Sequence, residues 1–369
     1  MAKTITSIAA HAALTTILLV ASTVISDDTT PAPADKSQLN NWFNGIVKPY
    51  TQRTATLDPA LVVAEKSARV IRVSKTGGGG GNFKTVSDAI RSIPPGNTKR
   101  VIVYIGPGVY HEKIKIERTK PFVTLYGSPG NMPTLTFSGT AAQYGTVDSA
   151  TLIVESNYFV AANLIVVNSA PRPIGEHQGG QAVAMRITGD KAAFYNCKFK
   201  GFQDTLCDDR GNHLFKNCYI EGTVDFIFGS GTSLYLNTVL YVLGDGGYTA
   251  ITAHARELTT ESNGFSFVHC SVTGTGKGTY LGRAWRPSSR VVYSYTTMSG
   301  IVNPAGWSDN SHPERDRTVY YGEYKCSGPG SNLSGRVNYA KRLSDAEARL
   351  FLTLRFIQGS SWLLPPPML

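Results

Sequence analysis

The sequence predicts an all-β fold, a parallel β-helix (solenoid) with short flanking helices at both ends. Three observations carry this. A segment of about 20 residues repeats through the middle of the chain, the architecture expected of stacked coils. Strand-like runs follow one another through turns, with no helical pattern between them. Only 17% of the 369 residues are charged while 37 are glycine, a balance that favours strands and turns over helices.

The repeat is read directly. Phe194-Tyr195-Asn196-Cys197-Lys198-Phe199-Lys200-Gly201-Phe202-Gln203-Asp204 aligns with Phe215-Lys216-Asn217-Cys218-Tyr219-Ile220-Glu221-Gly222-Thr223-Val224-Asp225 at an offset of 21. Tyr235-Leu236-Asn237-Thr238-Val239-Leu240 follows at 20, and Phe267-Val268-His269-Cys270-Ser271-Val272 repeats the pattern again. Residues 154–167 look like an earlier copy, and 171–180 like a loop inserted after it. The leucine ladder of a leucine-rich repeat is missing. Cys197 over Cys218 and Phe199 over Ile220 are expected to stack inside the coil.

The ends read differently. Residues 1–26 have a basic start at Lys3, an apolar centre (Leu14, Ile17, Leu18, Leu19, Val20) and small residues before Asp27. This is a secretory signal pattern, with a membrane anchor as the alternative for a stretch nearly long enough to span. Residues 27–66 form a helical extension: one helix carries Leu39, Trp42, Phe43 and Ile46, and a second has Asp58 as N-cap and Pro59 at its first position. The glycine run at 77–81 lacks the Lys-Ser/Thr ending of a phosphate cradle and reads as a turn. A short helix covers 86–93. Residues 67–340 make up the β-helix, and 341–369 a C-terminal helix and tail packed on it. Ser344 caps that helix over roughly 345–356.

Charge and cysteine usage narrow the function. The net charge of +10 falls to +9 if residues 1–26 are removed with Lys3. A basic exported protein is drawn to polyanions. No compact Lys/Arg run or nucleic-acid motif is present, so an acidic polysaccharide fits better. The five cysteines show no CxxC spacing, which argues against a zinc site, and Asn332-Leu333-Ser334 is a glycosylation sequon.

The repeat also predicts a site. Asp204 and Asp225 are one coil apart, so they should emerge on neighbouring strands about 4.8 Å apart on one face. Two carboxylates that close cannot both ionise cheaply, and the split suits one acid and one nucleophile or base. The competing reading is that both are turn residues, since each follows a glycine by three positions. Their apolar flanks favour chemistry, because dehydrating a carboxylate is costly. Arg283 and Trp285, two apart on a strand, point the same way. They offer a guanidinium for one aspartate and an indole for a sugar ring.

At these residues a resemblance becomes specific. Gly108-Val109-Tyr110-His111-Glu112, Gln181-Ala182-Val183-Ala184-Met185-Arg186, Gly201-Phe202-Gln203-Asp204-Thr205, Gly222-Thr223-Val224-Asp225-Phe226-Ile227-Phe228-Gly229 and Leu281-Gly282-Arg283-Ala284-Trp285 resemble, in order and spacing, the signature segments of plant pectin methylesterases. The similarity spans roughly residues 66 to 340. It looks like the short, pollen-type branch, without a long inhibitor-like pro-region. The resemblance implies a single-stranded right-handed parallel β-helix. It implies hydrolysis of C6 methyl esters of homogalacturonan in the cell wall, with a proteinaceous inhibitor as a further partner and no cofactor or metal. By motif it makes Asp225 the nucleophile, Asp204 the general acid/base, Gln181 and Gln203 the oxyanion donors, and Arg283 the residue that orients Asp225. Thr146, Phe228, Trp285 and Trp307 match substrate-binding positions. Cys207 stands where the family usually has Tyr, which removes a stacking surface. Ala284 replaces the usual Pro. Asn237 and Thr238 stand where many relatives have a cysteine paired with the match of Cys270, so that disulfide is expected to be absent.

Rival enzymes fit less well. A polygalacturonase would need Gly-His-Gly and Arg-Ile-Lys motifs, a pectate lyase a carboxylate-rich calcium site, and a serine esterase Gly-x-Ser-x-Gly. A non-catalytic wall-binding protein would have no reason to keep Gln181, Gln203, Asp204, Asp225 and Arg283 together.

Overall fold

The structure is a computed structural model that describes residues 28–76, 83–173, 179–244 and 247–369. The predicted signal segment, the glycine run and much of the inserted loop lie outside the described residues.

Among the described residues the strands form three parallel sheets, one of eleven strands and two of eight. Apart from the first and last pairs of the eleven-stranded sheet, successive members of each sheet are three strands apart in sequence, so each full turn of the chain adds one strand to each sheet. Phe199 sits over Ile220 in strict register, as the repeat predicts. Strand Ala192–Tyr195 pairs with Asn212–Lys216, which pairs with Thr232–Leu236.

Stacked identical positions build the core. Phe194, Phe215, Tyr235, Phe267 and Tyr293 form a ladder with ring centroids 4.4 to 4.7 Å apart and planes within 18°. Each ring is fully buried, worth about 1.5–3 kcal/mol in area alone. Each coil turns one corner through a left-handed residue: Asn163, Asn196, Asn217, Asn237, His269, Tyr295 and Lys325 have φ between 48° and 59°. Asparagine tolerates that conformation. Here its amides also link the coils, Asn196 donating to Asn163 at 2.9 Å and Asn237 to Asn217 at 2.8 Å. The next residue points inward, giving a column of Leu164, Cys197, Cys218, Thr238, Cys270 and Thr296. All five cysteines are free thiols, and burial pushes the Cys197 thiol up to about 12.

The flanking helices cover the coils. Leu39–Ile46 buries Leu39, Phe43 and Ile46. Pro59–Lys66 begins at Pro59, but Asp58 makes no side-chain cap. Its carboxylate instead accepts from Tyr158 Oη at 2.9 Å and Lys191 Nζ at 2.7 Å, tying the extension to the solenoid. Val86–Arg91 places Val86, Ala89 and Ile90 in the main core. At the C-terminal end the expectation needs correction. Ser344 and Glu347 form a capping box, but the α-helix covers only Asp345–Ala348. Short 3-10 turns follow at Arg349–Leu352 and Leu354–Ile357, separated by an extended Thr353. The apolar residues are too dense for one helical stripe, and the break lets Phe351, Leu352, Leu354, Phe356 and Ile357 all be buried.

The ladder makes a direct prediction. Phe215→Ala should cost about 3–5 kcal/mol, read as a lower guanidinium midpoint at unchanged slope. A loss below 1 kcal/mol would show that the stacked rings do not act as a core.

Candidate active site

Strands Met185–Ile187, Leu206–Asp208, Val224–Gly229, Ala250–His254 and Tyr280–Arg283 lie side by side in one sheet. Leu206 pairs with Ile227 and Cys207 with Phe228. Counting back in that register sets Asp204 beside Asp225, one strand spacing away. Against the next strand, Ala250–His254, the register shifts between Val224 and Ile227, a bulge-like irregularity at Asp225. Both aspartates are left-handed, φ +67° and +52°. That strain is held by its surroundings. Asp204 N–H donates to Val224 O, and Thr205 Oγ1 donates to Glu221 O at 2.8 Å. Gly222 is obligatory, since a Cβ there would lie 2.2 Å from that of Phe226.

A cavity of about 290 Å³ opens over the pair, lined by Thr146, Val147, Gln181, Gln203, Asp204, Asp225, Phe228, Ala253, Arg283 and Trp285. Eight of the nine residues singled out from sequence are therefore together. Trp307 is the correction. It is 1% exposed inside the solenoid, stacked on Tyr321 at 4.3 Å, and its indole N–H donates to Glu323. A fully buried indole needs an acceptor, and Glu323 supplies it, so this ring belongs to the core rather than the groove. Cys207 is also buried, packed with Val183, Phe228 and Ala253 below the cavity.

The two carboxylates differ in environment. Asp225, 4% exposed, accepts from Arg283 Nε at 2.7 and 2.9 Å and from Arg283 Nη2. Such a fork fixes a carboxylate as an anion. Burial works against the Arg283 charge, but its hydrogen bonds to Asp225 and the charge there more than offset this and raise its pKa. Among the described residues Asp204, 8% exposed, has no such fork. Burial first, and the charge of Asp225 second, push its pKa well above the usual carboxylate range, with Arg283 opposing. The arrangement sets a buried carboxyl of raised pKa beside a carboxylate gripped by a guanidinium. Trp285 meets Phe228 edge-on at 6.0 Å, forming an aromatic wall.

Sequence reading missed Val147, Ala253 and Asn310. Asn310 Oδ1 accepts from Arg283 Nη1 at 2.8 Å, fixing the far side of the guanidinium. It lies in a loop outside the repeat, where no periodic signal exists. Among the described residues there is no cluster of three or more metal-ligating side chains.

Asp204 gives a pH prediction. A raised folded pKa means that its stability contribution is fully present below about pH 4, the unfolded value. It is lost as pH rises toward the folded value. Asp204→Asn, a neutral isostere that tolerates φ > 0, should therefore melt above the parent at neutral pH, with the gap closing below about pH 4. A gap independent of pH would contradict the protonated Asp204.

Known proteins share these features. The family model described as "Pectinesterase" matches residues 71–360. The "Probable pectinesterase 49" of Arabidopsis thaliana is 59% identical over 344 residues, covering 93% of this chain and 94% of that protein. Among solved structures, the pectin methylesterase from carrot has a TM-score of 0.75 at 30% identity, covering 81% of this chain and 97% of that one. A pectin methylesterase in complex with a hexasaccharide has a TM-score of 0.69 at 26% identity, covering 80% and 98%.

Proposed function

This chain belongs to the pectinesterase family, and on that premise we propose that Asp225 is the nucleophile and Asp204 the general acid/base of its ester hydrolysis. It is a carboxylic ester hydrolase that demethylates pectin, built on a right-handed parallel β-helix. The assignment of roles rests on one observation: Arg283 forks onto Asp225 while Asp204, beside it, is buried with no ion pair of its own among the described residues.

The cycle follows from these environments. An Asp225 carboxylate oxygen attacks the C6 carbonyl carbon of a methylated galacturonate. The carbonyl electrons move onto oxygen, where amides of Gln181 and Gln203 in the cavity wall stabilise the charge. The tetrahedral intermediate collapses, the bond to the methoxy oxygen breaks, and Asp204 supplies the proton that makes methanol. An acyl–Asp225 anhydride remains. Asp204, now ionised, takes a proton from water, and the hydroxide attacks the C6 acyl carbon. Asp225 leaves as a carboxylate, the galacturonic acid is freed, and Asp204 is protonated again. Side chains carry every proton and charge in this sequence, and no cofactor enters it. Thr146, Phe228 and Trp285 hold the sugar.

The wider reading is an exported enzyme. Residues 1–26 direct it out of the cell, 27–66 and 341–369 brace the catalytic coils of 67–340, and methylated homogalacturonan in the wall is the substrate. A proteinaceous inhibitor is a further partner. Among the described residues, no helix is long and apolar enough to cross a membrane.

Methanol release from methylated pectin tests the roles. Asp225→Ala should lose on the order of 10⁴-fold or more in kcat, and Asp204→Ala about 10²–10⁴-fold. Near-normal release by Asp225→Ala would defeat the mechanism. Exhaustive chelation should leave the parent fully active, whereas a loss reversed only by one defined metal would contradict the metal-free cycle.

A further inference from the structure

The central cavity of about 290 Å³ is at the small end of ligand pockets and holds little more than the reacting unit. A polymer must run out of it in two directions. One exit has an aromatic wall, Trp285 and Phe228. The other is reached along the same strands. Ala250 pairs with Val224 on one side and Tyr280 on the other, so Tyr280 lies one strand beyond Ala250, level with the residue before Asp225. Tyr280 precedes Arg283 by three residues and Trp285 follows it by two. Arg283 and its bound Asp225 thus lie between Tyr280 and Trp285 along the chain.

At this second exit Tyr248 packs on Tyr280, ring centroids 5.7 Å apart at 35°. Tyr248 is 49% exposed, although it sits close enough to Asp225 and Arg283 to feel both charges. Its hydroxyl is tied to Ser308, the residue paired with Arg283 in the next strand. Ser308 Oγ also accepts from Asn310 N–H at 3.1 Å, so the ring is anchored to the loop that holds Arg283. A large aromatic left half-open beside an active site, with its polar end fixed, presents a face and an edge to a ligand. Burial first, and the charge of Asp225 second, push this phenol up to about 12. It therefore stays neutral and does not repel an acidic chain.

We propose that Tyr248 and Tyr280 form a second sugar-binding platform, across Asp225 from Trp285, that stacks a galacturonosyl ring of the same polymer. The platform rests on the pectin-demethylating reading above and adds to it a determinant of chain-length preference. A short substrate fills the central cavity and the Trp285 side, while a long one gains the Tyr248 contact as well.

The experiment compares kcat/KM on a long methylated galacturonan and on a methylated galacturonate dimer. Tyr248→Ala should lower the polymer-to-dimer ratio about tenfold, through KM on the polymer, the scale of one ring stack. Tyr248→Phe keeps the ring and should restore the ratio to within twofold of the parent. Tyr280→Leu is the second variant, expected to move the ratio the same way. A melting curve at the parent temperature accompanies each variant. An equal fall on both substrates, or no fall on either, overturns the platform. If the parent releases no methanol from either substrate, the catalytic reading fails instead. The platform is then decided by polymer binding alone, which Tyr248→Ala must weaken about tenfold.

Discussion

Parallel strands stack into a column only when their register is kept from coil to coil, whatever the length of the turns between them, and this register governs the rest of the molecule. Phe194 over Phe215 over Tyr235 makes a ring ladder because the offset is held at 21 and then 20. The same offset places Asp225 one strand spacing from Asp204. Packing and catalysis therefore share one geometric requirement. A slip of one residue would turn the ladder outward and separate the carboxylates together.

On that frame, electrostatics divides two identical side chains into different species. Each is nearly buried, so neither can rely on water for its charge. Arg283 compensates Asp225 with a fork, and Asn310 takes the remaining edge of the guanidinium. Asp204 receives only the residue of that field, and the nearby anion outweighs it. The asymmetry lies in which carboxylate Arg283 grips, and Asp225 sits where the pairing with Ala250–His254 shifts register between Val224 and Ile227. Backbone strain at two left-handed aspartates is the local cost, offset by the apolar coils that hold them.

Much of this was legible in the sequence, for identifiable reasons. The repeat was visible because the asparagine corners and the inward Cys and Phe positions recur at a fixed period. The carboxylate pair followed from the same period, and motif resemblance added Gln181, Gln203 and Thr146. Trp307 was misplaced because its motif context says nothing about which way the ring turns. Its burial depends on Tyr321 and Glu323, one coil on. Asn310 and Tyr248 were missed because both lie in loops whose paths are set by tertiary contacts. The C-terminal helix was drawn too long because a dense apolar run reads as helix even when a flat sheet surface demands broken turns.

The account stands on one proton, held by Asp204 and not by Asp225 in the resting enzyme at neutral pH. Infrared difference spectra of the parent against Asp204→Asn and against Asp225→Asn address it directly. A protonated carboxyl band in the parent that vanishes in Asp204→Asn and persists in Asp225→Asn is the predicted result. A band absent from the parent, or one removed by Asp225→Asn alone, would contradict the division of roles.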